Sequence, residues 1–337
     1  MRADDPGVVL AMFPNLPAKL FRGECGDRLR ALAGGDPEPP LTSFTSEADL
    51  ERLSRARILL TGWGSPVIDK TALAHAPHLV AVVHTAGTVK SHVTPAVFER
   101  GVVVSSAADA NAIPVAEYTL AVILLANKAV PALAREYHAR RAAMNLVEEF
   151  PDIGNYGKTV GLIGASRIGR RVAGLLRPFD LDVLISDPYL DEEGAAALGA
   201  RKAGLEDLFR ASDIVSLHAP ATEETRGMVT ASLLAAMRPG ATFINTARGS
   251  LVDQDALVAE LRRGRISAVL DVTAPDVTPA DSPLWDLPNV ILTPHVAGSL
   301  GTELARMGSQ AMDEVSRVIE GRPLHHAVHL AALPVTA

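Results

Sequence analysis

Thr159-Val-Gly-Leu-Ile-Gly164 constrains this chain more than any other stretch. It is an unbroken apolar run, the pattern of a strand buried on both faces, and it leads straight into Gly164-Ala165-Ser166-Arg167-Ile168-Gly169. Beyond the turn, Ile168, Val172, Leu175 and Leu176 recur at helical spacing. Strand, glycine turn and amphipathic helix in that order open a βαβ unit whose turn offers backbone N–H groups and a positive helix end to a pyrophosphate. The turn departs from G-x-G-x-x-G at Ser166. A Cβ there narrows the approach of the phosphates, while the hydroxyl is able to bond an oxygen or cap the helix start. Taken alone, these glycines also read as a plain helix-start turn. The next strand pattern, Asp182-Val-Leu-Ile-Ser-Asp187, ends on a carboxylate 18 residues past Gly169. An acid at that distance reaches adenosine ribose hydroxyls and repels a 2′-phosphate, so the spacing favours NAD over NADP; a bare turn before Pro188 is the alternative.

Short β-branched runs alternate with longer Ala/Leu/Arg-rich stretches throughout, the signature of α/β organisation with parallel sheets. Strands are expected at residues 8–12, 41–44, 57–61, 79–84 and 102–105, and then at 159–163, 182–186, 214–218, 242–245, 268–272 and 290–292. These form two sets, as 337 residues exceed what one core usually serves. Pro114 suits the first turn of a helix through 116–126, since its missing N–H is unneeded there, and a second helix is expected from about Gly301 to Ile319. Both could bridge the sets. One domain is therefore placed at 1–112 with 299–337, and the other, inserted into it, at 113–298.

A net charge of −7 leaves no basic surplus to neutralise nucleic-acid phosphates or an acidic membrane. Cys25 is the single cysteine, which excludes an intramolecular disulfide and a thiolate metal cluster and fits a reducing cytoplasm. Residues 1–7 lack a signal-peptide pattern, and the apolar run 118–126 is too short to span a bilayer. Residues 34–40 read as a loop.

Three segments in the inserted domain end expected strands, where ligands sit in such sheets. Asn245-Thr-Ala-Arg-Gly249 places a guanidinium there, Leu270-Asp-Val-Thr-Ala-Pro-Asp276 two carboxylates, and Leu292-Thr-Pro-His-Val-Ala-Gly298 an imidazole. Exchange of a hydride at a hydroxyl-bearing carbon needs these groups. An imidazole takes or returns the hydroxyl proton, a carboxylate fixes its tautomer and favours its charged form, and an arginine fork holds an anionic substrate. Singly, each reads more simply as a solvated arginine or a satisfied histidine; their joint placement beyond a dinucleotide turn favours catalysis.

In order along the chain, Gly161-Leu-Ile-Gly-Ala-Ser-Arg-Ile-Gly169, Ser186-Asp-Pro-Tyr189, His218-Ala-Pro220 with Thr225, Asn245-Thr-Ala-Arg-Gly249, Leu270-Asp-Val272, Ser282-Pro-Leu-Trp285 and Thr293-Pro-His-Val-Ala-Gly298 resemble the D-isomer-specific 2-hydroxyacid dehydrogenase family over nearly the whole length. The resemblance implies a Rossmann-like NAD-binding domain inserted into a flavodoxin-like substrate domain, a soluble homodimer, and a small 2-hydroxy or 2-oxo acid as substrate. It implies that Arg248 binds substrate, that His295 is the acid/base assisted by Asp276, and that Asp271 meets the nicotinamide carboxamide. Arg167 and Ile168 would offer amides to the pyrophosphate. Gly164, Ser166, Gly169, Asp187, His218, Ala219, Pro220, Thr225, Thr246, Ala247, Ala297 and Gly298 would line the rest of the dinucleotide. His84-Thr-Ala-Gly-Thr88 is similar to the loop whose amides, at Ala86, Gly87 and Thr88, hold the substrate carboxylate. Val115-Ala-Glu117 matches the family's inter-domain helix.

Two departures stand out. Asp276, followed by Val277, replaces the family's glutamate before proline and is one methylene shorter. After Gly87 the chain reads Thr88-Val-Lys-Ser where an Asp-bearing sequence is usual, which bears on substrate choice. Trp63, after an outer strand, reads equally as a pocket wall and as a packed surface aromatic. His325, His326 and His329 read as a solvated tail, not a metal site. The Arg-rich stretch 128–158, with Arg135, Arg140 and Arg141, packs on a partner subunit in the similar family. Formate or phosphite oxidation on the same frame, and a non-catalytic NAD(H)-sensing corepressor role, are the alternatives.

Overall fold

The computed structural model describes residues 7–333; residues 1–6, read above for a leader pattern, lie outside it, as do 334–337. Two compact units divide the chain, residues 1–112 with 299–337 and residues 113–298. In chain order the strands are β1 Val8–Ala11, β2 Ile58–Thr61, β3 Ala81–His84, β4 Val103–Ser106, β5 Lys158–Ile163, β6 Leu181–Ser186, β7 Arg201–Lys202, β8 Ile214–Leu217, β9 Thr242–Asn245, β10 Ser267–Leu270, β11 Val290–Leu292 and β12 Ala327–Val328.

In the first unit the sheet order is β1-β2-β3-β4-β12, parallel except for β12, which runs antiparallel to β4. The β2 residues show why its strands read as continuous apolar runs. Ile58 and Leu60 pack on one face with Leu10, Val83 and Met307, and Leu59 packs on the other with Ala11, Val82 and Val104. Each such buried side chain contributes about 1.5–3 kcal/mol. Helix Leu304–Ile319 covers the first face through Leu304, Met307, Ala311, Met312 and Val315.

The second unit holds a wholly parallel sheet of order β11-β10-β9-β8-β5-β6-β7. From β5 the chain winds out to β7, then returns to the other side of β5 to lay down β8. The order therefore reverses between β5 and β8, and in such sheets ligands bind beyond the carboxyl ends of the strands at that switch point.

Three expectations change. Residues 41–44 do not form a strand; Leu41 makes a single bridge to Ala11, after which Ser43 Oγ bonds Asp49 and Ser46 caps the next helix, so local side-chain bonds draw the chain off the sheet edge. Pro114 does not start its helix but lies inside Ala108–Asn127. The helix begins earlier because the Ala-rich run from Ala107 favours it and Gln310 Oε1 accepts the Ala110 N–H at 3.0 Å, satisfying one leading amide. At 20 residues this helix is long and apolar enough by length and composition to cross a membrane, unlike the short run expected. Its apolarity is used within the fold, where Ala110 joins a core of the first unit and Ala116 and Ile123 one of the second.

Candidate active site

At the switch point Ser166 is the N-cap of helix Arg167–Leu176, its Oγ accepting the Gly169 N–H at 3.3 Å. Gly164, at φ +96°, lies against the end of β8, where a Cβ would come 2.8 Å from the Ala219 nitrogen, and a Cβ on Gly169 would overlap the Gly164 carbonyl. Only glycines fit both places. The cap leaves the Ile168 amide without an acceptor among the described residues. Asp187 accepts the Ala165 N–H at 2.7 Å through Oδ2 and the Tyr189 N–H at 2.8 Å through Oδ1. A carboxylate has about four acceptor positions, so Asp187 is fixed beside the turn with capacity to spare. A backbone-only cradle, an open amide and a spare carboxylate fit a dinucleotide.

His218 lies beneath, bonded through Nε2 to Ser216 Oγ at 2.9 Å, and its buried Nδ1 has no partner. Burial pushes its pKa down to about 3, so the ring is neutral. Thr225 folds the following loop, donating to the Pro220 carbonyl at 2.7 Å and accepting the Thr222 N–H at 2.9 Å.

Register places Asn245, Leu270 and Leu292 side by side, so the loops carrying Arg248, Asp276 and His295 leave one end of the sheet. Buried Asn245 shapes the first, its Oδ1 accepting the Ala247 N–H and its Nδ2 donating to the Arg248 carbonyl, each at 3.0 Å. Thr246 Oγ1 lies 3.4 Å from Thr119 Oγ1. Gly249 packs on the Thr273 carbonyl with no room for a Cβ, which brings the second loop against the first. The largely buried Arg248 guanidinium has its pKa drawn down by desolvation, and the charge of Asp276 opposes that.

Asp271 organises the third loop. Its Oδ1 accepts Thr293 Oγ1–H at 2.6 Å and the Val296 N–H at 2.7 Å, and its Oδ2 accepts the Ala297 N–H at 2.9 Å. The Asp271 carbonyl accepts the His295 N–H at 3.0 Å. Held this way, His295 sits at φ +56°, a left-handed conformation that side chains rarely adopt, with its ring exposed. Such strain persists where its surroundings over-determine it, often at active sites. Tyr118 extends the network, its hydroxyl 3.3 Å from Thr293 Oγ1; burial raises its pKa. Among the described residues no hydrogen bond or ion pair joins Asp276 to His295.

In the first unit Ala86, Gly87 and Thr88 follow β3, and among the described residues none of their three amides donates to a protein acceptor. Adjacent open amides are unusual, since an unmet buried donor costs about 1–3 kcal/mol. The Ala86 carbonyl and the His84 carbonyl both accept the Ala107 N–H at 2.9 Å, which turns the loop. Phe13 and Trp63, exposed, leave the same sheet end, Phe13 N–H donating to the Trp63 carbonyl at 2.8 Å. No metal-binding group of His, Cys, Asp or Glu occurs among the described residues; His326 instead pairs with Asp109 at 2.8 Å.

The structure thus gathers Arg248, Asp271, Asp276, His295, Ala297 and Gly298 on neighbouring strand ends of one sheet, with Gly164, Ser166, Asp187 and His218 at the switch point. Sequence reading missed Asn245, Thr293 and Tyr118, which hold these loops. Asn245 carried a signal, as a buried strand-end amide directly before the arginine turn.

The NAD-binding-domain pattern of the D-isomer specific 2-hydroxyacid dehydrogenases matches residues 120–297. The D-3-phosphoglycerate dehydrogenase of Mycobacterium bovis is 35% identical over 267 residues, 78% of this chain and 49% of that protein. The chain spans about half the length of the curated relatives it matches. Among solved structures, the TT0316 protein of Thermus thermophilus is 31% identical with a TM-score of 0.74, over 96% of this chain and 99% of that one. A D-lactate dehydrogenase from Aquifex aeolicus, solved with NAD and lactic acid, is similar in fold at 24% identity and a TM-score of 0.71, over 93% of this chain and 96% of that one.

Proposed function

Because the chain belongs to the D-isomer specific 2-hydroxyacid dehydrogenase family, with NAD as its cofactor, we propose that it oxidises a small D-2-hydroxy acid at carbon 2 and, in reverse, reduces the 2-oxo acid. The observation that carries this reading is His295, exposed and held in a left-handed conformation by Asp271 beside the arginine loop. Bound NADH supplies the hydride that carbon 2 receives. Gly164, Ser166, Arg167, Ile168 and Gly169 hold the pyrophosphate and Asp187 the ribose hydroxyls. Pro220, Thr225, Thr246 and Ala247 line the cofactor, and the spare lone pair of Asp271 takes the carboxamide. In reduction the His295 imidazolium gives its proton to the oxygen on carbon 2 as negative charge develops there, and in oxidation the neutral ring takes that proton back. Arg248 holds the same oxygen, and in the first unit the open amides of Ala86, Gly87 and Thr88 suit a substrate carboxylate. Asp276 supports the charged imidazole. The active form is a homodimer that uses residues 128–158.

Turnover of a panel of 2-oxo acids with NADH, including alkyl, aryl and phosphorylated members, tests the reading. Reduction of at least one is expected. Oxidation of formate or phosphite instead, or tight NADH binding with no turnover of any member, refutes it.

A further inference from the structure

Tyr118 enters the Asp271 network from helix Ala108–Asn127, and the chemistry above gives it no part. The direction of each bond there follows from the donors present. Asp271 takes the Val296 and Ala297 N–H groups, and a carboxylate accepts without donating. Thr293 therefore gives its single hydroxyl proton to Asp271 Oδ1, at 2.6 Å. With that proton spent, Thr293 Oγ1 meets Tyr118 only as an acceptor, and the tyrosine O–H, 3.3 Å away, donates to it. The bonds run one way, from Tyr118 to Thr293 to Asp271.

Oδ1 is then filled by Thr293 and the Val296 N–H, while Oδ2 holds the Ala297 N–H and keeps an open position. Rotation of the carboxylate would break all three bonds together. Thr293 also grips the loop through its main chain, its N–H donating to the Leu270 carbonyl at 2.9 Å and its carbonyl accepting the His295 N–H at 3.0 Å. The two amides that Asp271 holds directly follow His295, so the plane of the carboxylate sets the left-handed backbone that carries the imidazole. We propose that Tyr118 and Thr293 are positioning residues for His295, ordering its loop through the Asp271 carboxylate. The proposal rests on the acid/base reading of His295 given above. The 2.6 Å bond is the strong link, and the longer tyrosine bond sets the smaller effect. Thr119, next along the helix, supplies the contrast. Its buried hydroxyl donates to the Val115 carbonyl at 2.8 Å and faces Thr246 Oγ1 on the arginine loop, and among the described residues no bond joins it to Asp271 or Thr293.

Two measurements on the NADH-bound protein test it, with Tyr118→Phe, Thr293→Val and, as the control, Thr119→Val. Amide hydrogen exchange at Val296 and Ala297, read by NMR, is expected to quicken about threefold in Tyr118→Phe and about tenfold in Thr293→Val, the range of one lost hydrogen bond. In Thr119→Val it should keep the parent rate, although that change also removes a buried hydroxyl. This readout needs no turnover, so it stands even if no 2-oxo acid is reduced and the proposed function fails. Kinetics supply the second. The same two variants should lower kcat by about threefold and about tenfold, with KM for the 2-oxo acid within about twofold of the parent, and Thr293→Ser should restore kcat. The pH at which kcat/KM for reduction falls should not move, because Asp271 bonds the main chain around His295. Should Thr293→Val fail to fold, Tyr118→Phe, which keeps the ring at a half-buried position, carries both measurements. Parent exchange rates in Tyr118→Phe overturn the proposal. So does exchange that quickens equally in Thr119→Val, a raised KM with an unchanged kcat, or a shifted pH profile.

Discussion

Ser166 and Asp187 show how much one side chain at a turn is able to do. Ser166 spends its oxygen on the Gly169 amide, so its departure from the usual glycine supplies the helix with a cap. Ser166→Ala is expected to destabilise the protein by about 1 kcal/mol and to weaken NADH binding, both measurable by denaturation and titration; unchanged values in both would show the cap to be idle. Asp187 is tied to the turn by two amides. Asp187→Ala should narrow the kcat/KM preference for NADH over NADPH, and equal use of the two cofactors by the parent would sink the ribose role. The pair of interest for catalysis is less settled by contact, since Asp276 acts on Arg248 and makes no bond to His295. His295→Ala should cost a hundredfold or more in kcat, on the order expected for a lost proton donor. Asp276→Asn should raise KM for the 2-oxo acid, because the charge of Asp276 opposes the desolvation of the Arg248 guanidinium. An unchanged KM would leave Asp276 without a role in holding Arg248. The sequence showed these residues because each ends a strand pattern. It hid Asn245, Thr293 and Tyr118, whose bonding partners are decided by loop geometry and by packing between separate elements.

Strands of the second sheet were legible as elements because their apolar runs are nearly continuous, with Ser216 in β8 a polar side chain inside one run. β5 and β8 to β11 fall where their apolar runs lie, within a residue or so at their ends. The misses share a cause, in that local chemistry outvoted the pattern: serine and aspartate bonds at 41–49, an alanine-rich start before Pro114, and the two-residue strands β7 and β12, too short to show a period. Two strand ends and one loop also hold the buried imidazoles His84, His218 and His92. Their folded pKa values lie below the ordinary 6.5, at about 4 for His92 and about 3 for His218. Between pH 6.5 and 4 the unfolded chain therefore binds protons that the native chain refuses. Stability is complete above pH 6.5 and falls as pH drops through that window, by about 3 kcal/mol for His92 alone. Chemical denaturation at pH 7.5 and at pH 5 should show a lower unfolding free energy at pH 5, with a smaller difference in His92→Gln. A flat response would mean that the rings are not kept neutral.

For the molecule as a whole, residues 130–156 pose a question that one chain does not answer. Helix Val130–Arg140 buries no residue, and the same stretch exposes Tyr137, Leu146, Val147 and Tyr156, the last two by 83% and 87%. Arg140 bonds both Glu136 and Glu149, which ties the helix to the segment after it and makes the surface a defined one. Large apolar groups left open on a surface ordered by ion pairs suit coverage by another protein surface better than by water. The proposed second copy supplies that cover. In a two-fold dimer each substitution acts twice, once from either side, so a charge placed there is felt strongly. Val147→Glu with Tyr137→Glu is therefore expected to convert a dimer into a monomer, seen by light scattering coupled to size exclusion. NADH affinity should persist, because the glycine turn and Asp187 belong to a separate part of the same unit. A monomeric parent protein, or a double variant that stays dimeric, would move the interface elsewhere and leave these exposed side chains without a role in assembly.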